Sequence, residues 1–323
     1  MDVGFYLDYF KRCHKDLKTL SKREHLKLVY LWYDFFKCSI IHGAILNHYT
    51  RGRLYMLKGC ERRKSMTYGR ILKVYKLCND KSVQHLLENK AHFNMHFSSV
   101  VNRKWLQVKD STYDQFNALC EACRSLIIKP LDGVNGENIY KQQVPEDNTQ
   151  RKELYDYLVK RNVIAEECIE QHPALCLGGK SVNTIRAFTI LDKRGEVHLL
   201  KMLLRVGVGD SVVDNYSAGG CVYEIDTEKG IVISPSLTKK GDTLYIHPGT
   251  EICMLGFRLP NWESVKCALV NAQKLIPQNR FTGWDVAITK NGVEFIEGNH
   301  NPGYELLEFF GTKGWYDIVK KYI

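Results

Sequence analysis

Two segments near the C-terminal end of this 323-residue chain carry the side chains best suited to chemistry. Trp284-Asp285-Val286-Ala287-Ile288-Thr289 and Val293-Glu294-Phe295-Ile296-Glu297-Gly298-Asn299 read as strands, and Lys290-Asn291-Gly292 between them is turn chemistry. A turn centred on Asn291 places Asp285 opposite Glu297, six residues to either side. Side chains alternate along a strand, so Glu297 and Asn299 share a face with Asp285. Facing carboxylates repel unless a cation lies between them. Asp, Glu and Asn offer the hard oxygen ligands that Mg²⁺ takes, with water and phosphate oxygens completing its shell. A metal site of Asp285, Glu297 and Asn299 is therefore expected. The competing reading is a solvent-facing hairpin, and the apolar neighbours of both carboxylates weigh against it.

Four further groups accompany this hairpin. Ile127-Ile128-Lys129-Pro130 ends an apolar strand on a lysine, and the loop after it holds Gly133 and Gly136; an ammonium beside glycine backbone N–H groups suits phosphate. It is not a P-loop, which puts Gly-Lys-Ser/Thr directly before a helix. Ile164 to His172 passes from an apolar stretch into an acidic one, with backbone groups for a base and a carboxylate for ribose hydroxyls, or equally a strand ending at a surface. Arg186, after Asn183, is a natural fork for phosphate or carboxylate. Arg205 precedes a polar, glycine-rich loop, Val213 to Gly220, that contains Asn215, and His247 lies in a further loop.

The elements that must position these groups are of two textures. Residues 5 to about 88 have a helical period, apolar and aromatic positions recurring every three or four residues with Lys and Arg between them. From about Lys90, β-rich runs alternate with helical stretches at 111–124, 150–161 and 261–276. Tight turns such as DKRGE and TKNGV join several of the runs, which predicts an α+β fold with antiparallel sheets.

Taken in order, IIKP…G…G, IAEECIEQH, SVNTIR, DNYSAGG, GWDVAIT and IEGNHNPG resemble the ATP-grasp superfamily, most nearly its sugar-transfer-associated branch, from about Asn89 to Tyr304. The resemblance implies two α+β subdomains holding ATP between them: a lid subdomain over 89–172 and a catalytic, metal-binding subdomain over 173–323, preceded by a basic helical region over 1–88. It implies that Lys90 and Lys129 contact ATP phosphates, with Gly133 to Gly136 closing over them. Glu166, Glu167, Cys168 and Ile169 would line the adenine, and Glu170 would reach ribose. Arg186 would stabilise the transferring phosphoryl group, Arg186 and Arg205 would hold a carboxylate, and Asn215 and His300 would line the acceptor side. Asp285, Glu297 and Asn299 would hold one or two Mg²⁺. One departure is Asn138, which stands in DGVNGENI where a further glycine is expected.

The resemblance also implies a carboxylate–amine ligase that works through an acyl phosphate, joining an amino acid or amine to a sugar acid in surface glycan biosynthesis. The alternative is an ATP-grasp kinase that phosphorylates a sugar or other small molecule. Charge supports a divided molecule. Residues 1–100 hold 19 Lys+Arg against 8 Asp+Glu, whereas the remaining 223 hold 27 against 28. The excess is expected to face an anionic partner, either a glycan-linked or small-molecule substrate or the inner membrane surface, with Arg62, Arg63 and Lys64 as contacts. Nucleic acid is not expected, because these charges interleave with packing positions and match no nucleic-acid motif. Eleven cysteines, an odd number, in a large chain with no export signal point to reduced thiols in a cytoplasmic protein. Cys120 and Cys123 form a lone C-x-x-C in a helix-like stretch, and helix packing is its better reading.

Overall fold

A computed structural model describes residues 3–323 apart from 51, 132–137, 178, 180, 210–219, 238–242, 249 and 309–313. The chain divides into two compact units: residues 1–78 with 303–323, and residues 79–302.

The first unit is helical, with Val3–Arg23, Leu28–His42 and Tyr68–Cys78 as its longer helices. Its core is Leu17, Leu20, Leu31, Phe35, Cys38, Tyr49 and Leu54, the residues that the helical period brings inward. The second helix ends at Gly43, whose φ of 66° suits glycine and whose N–H reaches Cys38 O and Ser39 O. Gly43 also lies against Gly69, where a Cβ would meet the facing backbone at 2.8 Å. Asp34 and Arg62 form a buried two-pronged ion pair, Nη1–Oδ1 2.7 Å and Nη2–Oδ2 2.6 Å, and Tyr49 donates its hydroxyl to the same carboxylate. This corrects the expected use of Arg62 as a surface contact: it is an internal counter-charge, while Arg63 and Lys64 are exposed.

The second unit is α+β with antiparallel sheets, as the sequence predicts. A four-stranded sheet contains β1 (Trp105–Gln107), β2 (Ser125–Pro130), β3 (Tyr140–Gln143) and β4 (Val163–Glu167) in the order β1-β4-β2-β3. Helices Tyr113–Ala122 and Asn148–Leu158 contribute Phe116, Leu119, Tyr155 and Leu158 to its core. The first begins with a capping box between Thr112 and Gln115, and Asp147 caps the second. Cys120 is buried in this core, which pushes its thiol up to about 11, in keeping with a packing role.

A six-stranded sheet is built from β5 (Thr184–Leu191), β6 (Val197–Val206), β7 (Cys221–Asp226), β8 (Ile231–Val232), β11 (Phe281–Thr289) and β12 (Gly292–Asn299), in the order β12-β11-β5-β6-β7-β8. A short pair, β9 (Ser236–Leu237) and β10 (Thr243–Leu244), completes the strands described. Alternation divides the large sheet. Ile185, Ala187, Met202, Leu204, Tyr223, Ile225, Trp284 and Val286 share the core with Val265, Leu269 and Ala272 of the helix Trp262–Lys274. The residues between them, which include Arg186, Arg205 and Asp285, point to the opposite face.

Candidate active site

The β11–β12 hairpin pairs Asp285 with Glu297 and Gly283 with Asn299. The turn itself is two residues, Lys290-Asn291, since Thr289 pairs with Gly292. That turn alone would put Ile296 opposite Asp285. A β-bulge restores the expected partner: Val286 pairs with Phe295 and Asp285 with Glu297, leaving Ile296 as the extra residue.

Asp285 is also registered against Arg186 on β5, and Arg205 against Thr184. Arg186 Nε lies 2.6 Å from Asp285 Oδ1, and its Nη2 donates to Oδ2 at 2.9 Å. Arg205 Nη2 reaches Oδ2 at 3.0 Å, and its Nε donates to Thr184 Oγ1. Burial disfavours the Asp285 carboxylate, but the two guanidinium groups outweigh it and hold the carboxyl below its ordinary range. Glu297 shifts the other way: partial desolvation at the sheet surface and then the Asp285 charge push it up, with Arg186 4.0 Å away as a partial counterweight.

These residues fit a divalent cation. The Asp285 carboxylate is paired with Arg186 and Arg205, while 44% of the Glu297 side chain is exposed, which makes Glu297 the freer donor of the two. Asn299 donates its amide N–H to Gly283 O at 3.3 Å, which leaves its amide oxygen as the atom it offers. All three donors are hard oxygens, the set that suits Mg²⁺.

The small sheet brings together a second group. Lys129 of β2 lies 2.5 Å from Glu166 Oε2 of β4, and Glu166 Oε1 accepts from Arg103 at 2.9 Å and from Asn94 at 2.8 Å. Arg103 reaches on to Glu294 of β12 at 2.7 Å and donates to Phe295 O, so one guanidinium ties the two sheets. Glu166 is fully buried, which disfavours its charge, yet Arg103 and Lys129 hold it far below an ordinary glutamate. Lys90 opens the helix Lys90–His96, and its Nζ is 3.5 Å from Leu131 O at the end of β2. Asn138 adopts φ 58°, the backbone that the expected glycine would take, and Asn tolerates it better than most residues.

Glu167 is the last residue of β4, bonded to Lys104 through both its N–H and its carboxylate. Cys168 Sγ lies 3.3 Å from Ser125 Oγ. Ile169 is half-buried and Glu170 exposed. The segment then joins the large sheet, where Gln171 bridges Thr289 and His172 N–H donates to Ile288 O. Gly133, Gly136 and Asn215 lie outside the described residues. Sequence reasoning passed over Arg103, Asn94 and Glu294, and also Lys201 and Glu224, a buried pair 3.5 Å apart on β6 and β7.

An ATP-grasp protein is the class that this fold and donor set define. The profile described as sugar-transfer-associated ATP-grasp matches residues 70–321, and the chain belongs to that family. No curated protein matches the chain. Among solved structures it is similar to ATP-grasp ligase PsnB complexed with minimal precursor, Mg and ADP, at 13% identity over 75% of this chain and 61% of that one, TM-score 0.44. It is also similar to D-cycloserine synthetase DcsG, at 9% identity over 79% of this chain and 80% of that one, TM-score 0.45. A third is an L-amino acid ligase from Bacillus licheniformis, at 12% identity over 71% and 44%, TM-score 0.41. The chain spans about three-fifths of the length of the PsnB chains it matches.

Proposed function

We propose that the chain is an ATP- and Mg²⁺-dependent carboxylate–amine ligase that joins an amine or amino acid to a sugar acid in glycan assembly. The observation that carries this reading is Asp285 held by Arg186 and Arg205 directly opposite Glu297 on one sheet face. Mg²⁺ at Asp285, Glu297 and Asn299 would neutralise phosphate charge and fix its orientation. A substrate carboxylate oxygen attacks the terminal phosphorus of ATP, ADP leaves, and the amine then displaces phosphate from the acyl carbon. The protein's share is to place charge. Lys129, Lys90 and the segment from Glu166 to Glu170 serve the nucleotide, with Gly133 and Gly136 in the loop over it. Arg186 and Arg205 face the two anionic stages, and Asn215 serves the acceptor.

The test is ADP release screened over pairs of amino acids and uronic-acid sugars, with Glu297→Ala as control. One pairing raises ADP release, and Glu297→Ala lowers that turnover at least about a hundredfold, the scale of losing a transition-state charge contact. AMP and pyrophosphate as products overturn the reading. ADP released without any amine, together with a stable phosphorylated product, assigns the chain to the kinases instead.

A further inference from the structure

The helices Val3–Arg23 and Leu28–His42 form a hairpin with an unusual outer surface. The second helix buries Leu31, Phe35 and Cys38 on its inner side. Its outer side carries Val29, Tyr33, Phe36 and Ile40, spaced four, three and four residues apart, which an α-helix gathers into one strip. All four are exposed, Val29 by 81% and Ile40 by 83%. The helix is thus apolar on two opposite sides, and only one is covered. Aromatic stacking carries the strip across the seam between the helices: Trp32 stacks on Phe36 at 5.4 Å and on Phe10 of the first helix at 4.9 Å. On the first helix Lys11, Lys15, Lys18 and Lys22 repeat the four-three-four spacing and are all exposed, Lys11 lying 3.6 Å from Asp8.

We propose that this hairpin seats the chain on an anionic lipid surface, the apolar strip entering the headgroup boundary and the lysine row meeting lipid phosphates. Large apolar side chains beside a basic face are what holds a helix in the plane of such an interface. Charge selects the occupant. The helical unit carries 20 Lys+Arg against 9 Asp+Glu, and the other unit 26 against 27. A second copy docking on this face would bring like charge against like, whereas an anionic bilayer complements the lysine row and accepts the strip. Among the described residues no helix is long and apolar enough to cross a membrane, so the contact is peripheral. It stands independently of the ligase reading, because vesicle binding and ADP release are measured separately.

The test is co-sedimentation of the full chain with vesicles of phosphatidylcholine alone and of phosphatidylcholine containing phosphatidylglycerol. Binding to the anionic vesicles exceeds that to the neutral ones and weakens as salt rises. Replacing Val29, Tyr33, Phe36 and Ile40 by Ser lowers the bound fraction at least tenfold. Replacing Lys11, Lys15, Lys18 and Lys22 by Gln does the same on anionic vesicles, at roughly fivefold per lysine. The lysine variant alters no packed position, so it carries the test if the serine variant misfolds. Equal binding to both vesicle types, or none, overturns the proposal. So does a wild-type dimer in sedimentation equilibrium that the serine variant converts to monomer, which gives the strip to a second copy.

Discussion

Arg103 shows how much one buried residue can hold together. Its guanidinium satisfies Glu166 and Glu294 together and is almost wholly buried. Arg103→Met leaves two carboxylates without that counter-charge, at a cost of about 3–5 kcal/mol in urea unfolding. Arg103→Lys recovers only part, because a single ammonium cannot reproduce the fork. Nothing in Val101-Asn102-Arg103-Lys104 announces this role, since its partners stand at positions 166 and 294 and only folding brings them near. The facing of Asp285 and Glu297 was legible for the opposite reason: it lies within one hairpin, whereas Arg186 and Arg205 reach Asp285 from β5 and β6. His48 sets a pH response in the helical unit. It is buried, and neither ring nitrogen has a hydrogen-bond partner among the described residues. Burial, then Arg70, lowers its pKa to about 4 from 6.5. The unfolded chain therefore takes up the proton first, and stability is lost as pH falls from 6.5 towards 4, by about 3 kcal/mol in all. Thermal melts between pH 7 and pH 4 will show that slope, and His48→Phe will flatten it.

Strands were the elements that the sequence marked best. LIIKP, VIAEE, TIRAFTIL, VHLLKMLL and CVYEID all form strands where apolar, β-branched runs end in turn residues. The short strands β1 and β3, Trp-Leu-Gln and Tyr-Lys-Gln-Gln, carry no such pattern and exist because the edges of β4 and β2 pair with them. The bulge at Ile296 was invisible too, because an extra residue in one strand leaves composition unchanged. Strand β12 also depends on close packing at Gly298. A Cβ there would lie 2.6 Å from Leu87, 3.1 Å from Phe93 and 3.1 Å from Trp284. Gly298→Ala will force β12 away from these side chains at about 1–3 kcal/mol. Because Glu297 and Asn299 flank it, the substitution will also weaken the ADP release that the proposed ligase activity entails. A normal melting temperature together with full ADP release would contradict this account of β12.

At the scale of the molecule, the charge split seen in the sequence follows the structural division, with the whole excess on the helical unit. The proposed lipid contact therefore belongs to that unit, and the vesicle experiment addresses it there. The composition of the unit was not legible, because a period or a charge count cannot show that residues 303–323 return to residues 1–78. The return is built into its core. Met66 N–H donates to Glu308, Tyr304 lies edge-on to His48 at 5.5 Å, and Arg70 sits over the Tyr316 ring at 4.9 Å. During synthesis the first helices therefore emerge without the segment that seals them, and residues 79–302 must be made before it arrives. At about 5–20 residues per second that delay is on the order of ten seconds to under a minute. The α+β unit has its whole sequence available first, so the unit that leaves the ribosome earliest is the last to be completed. Throughout that interval its aromatic and lysine-rich hairpin is presented to whatever surface the nascent chain meets.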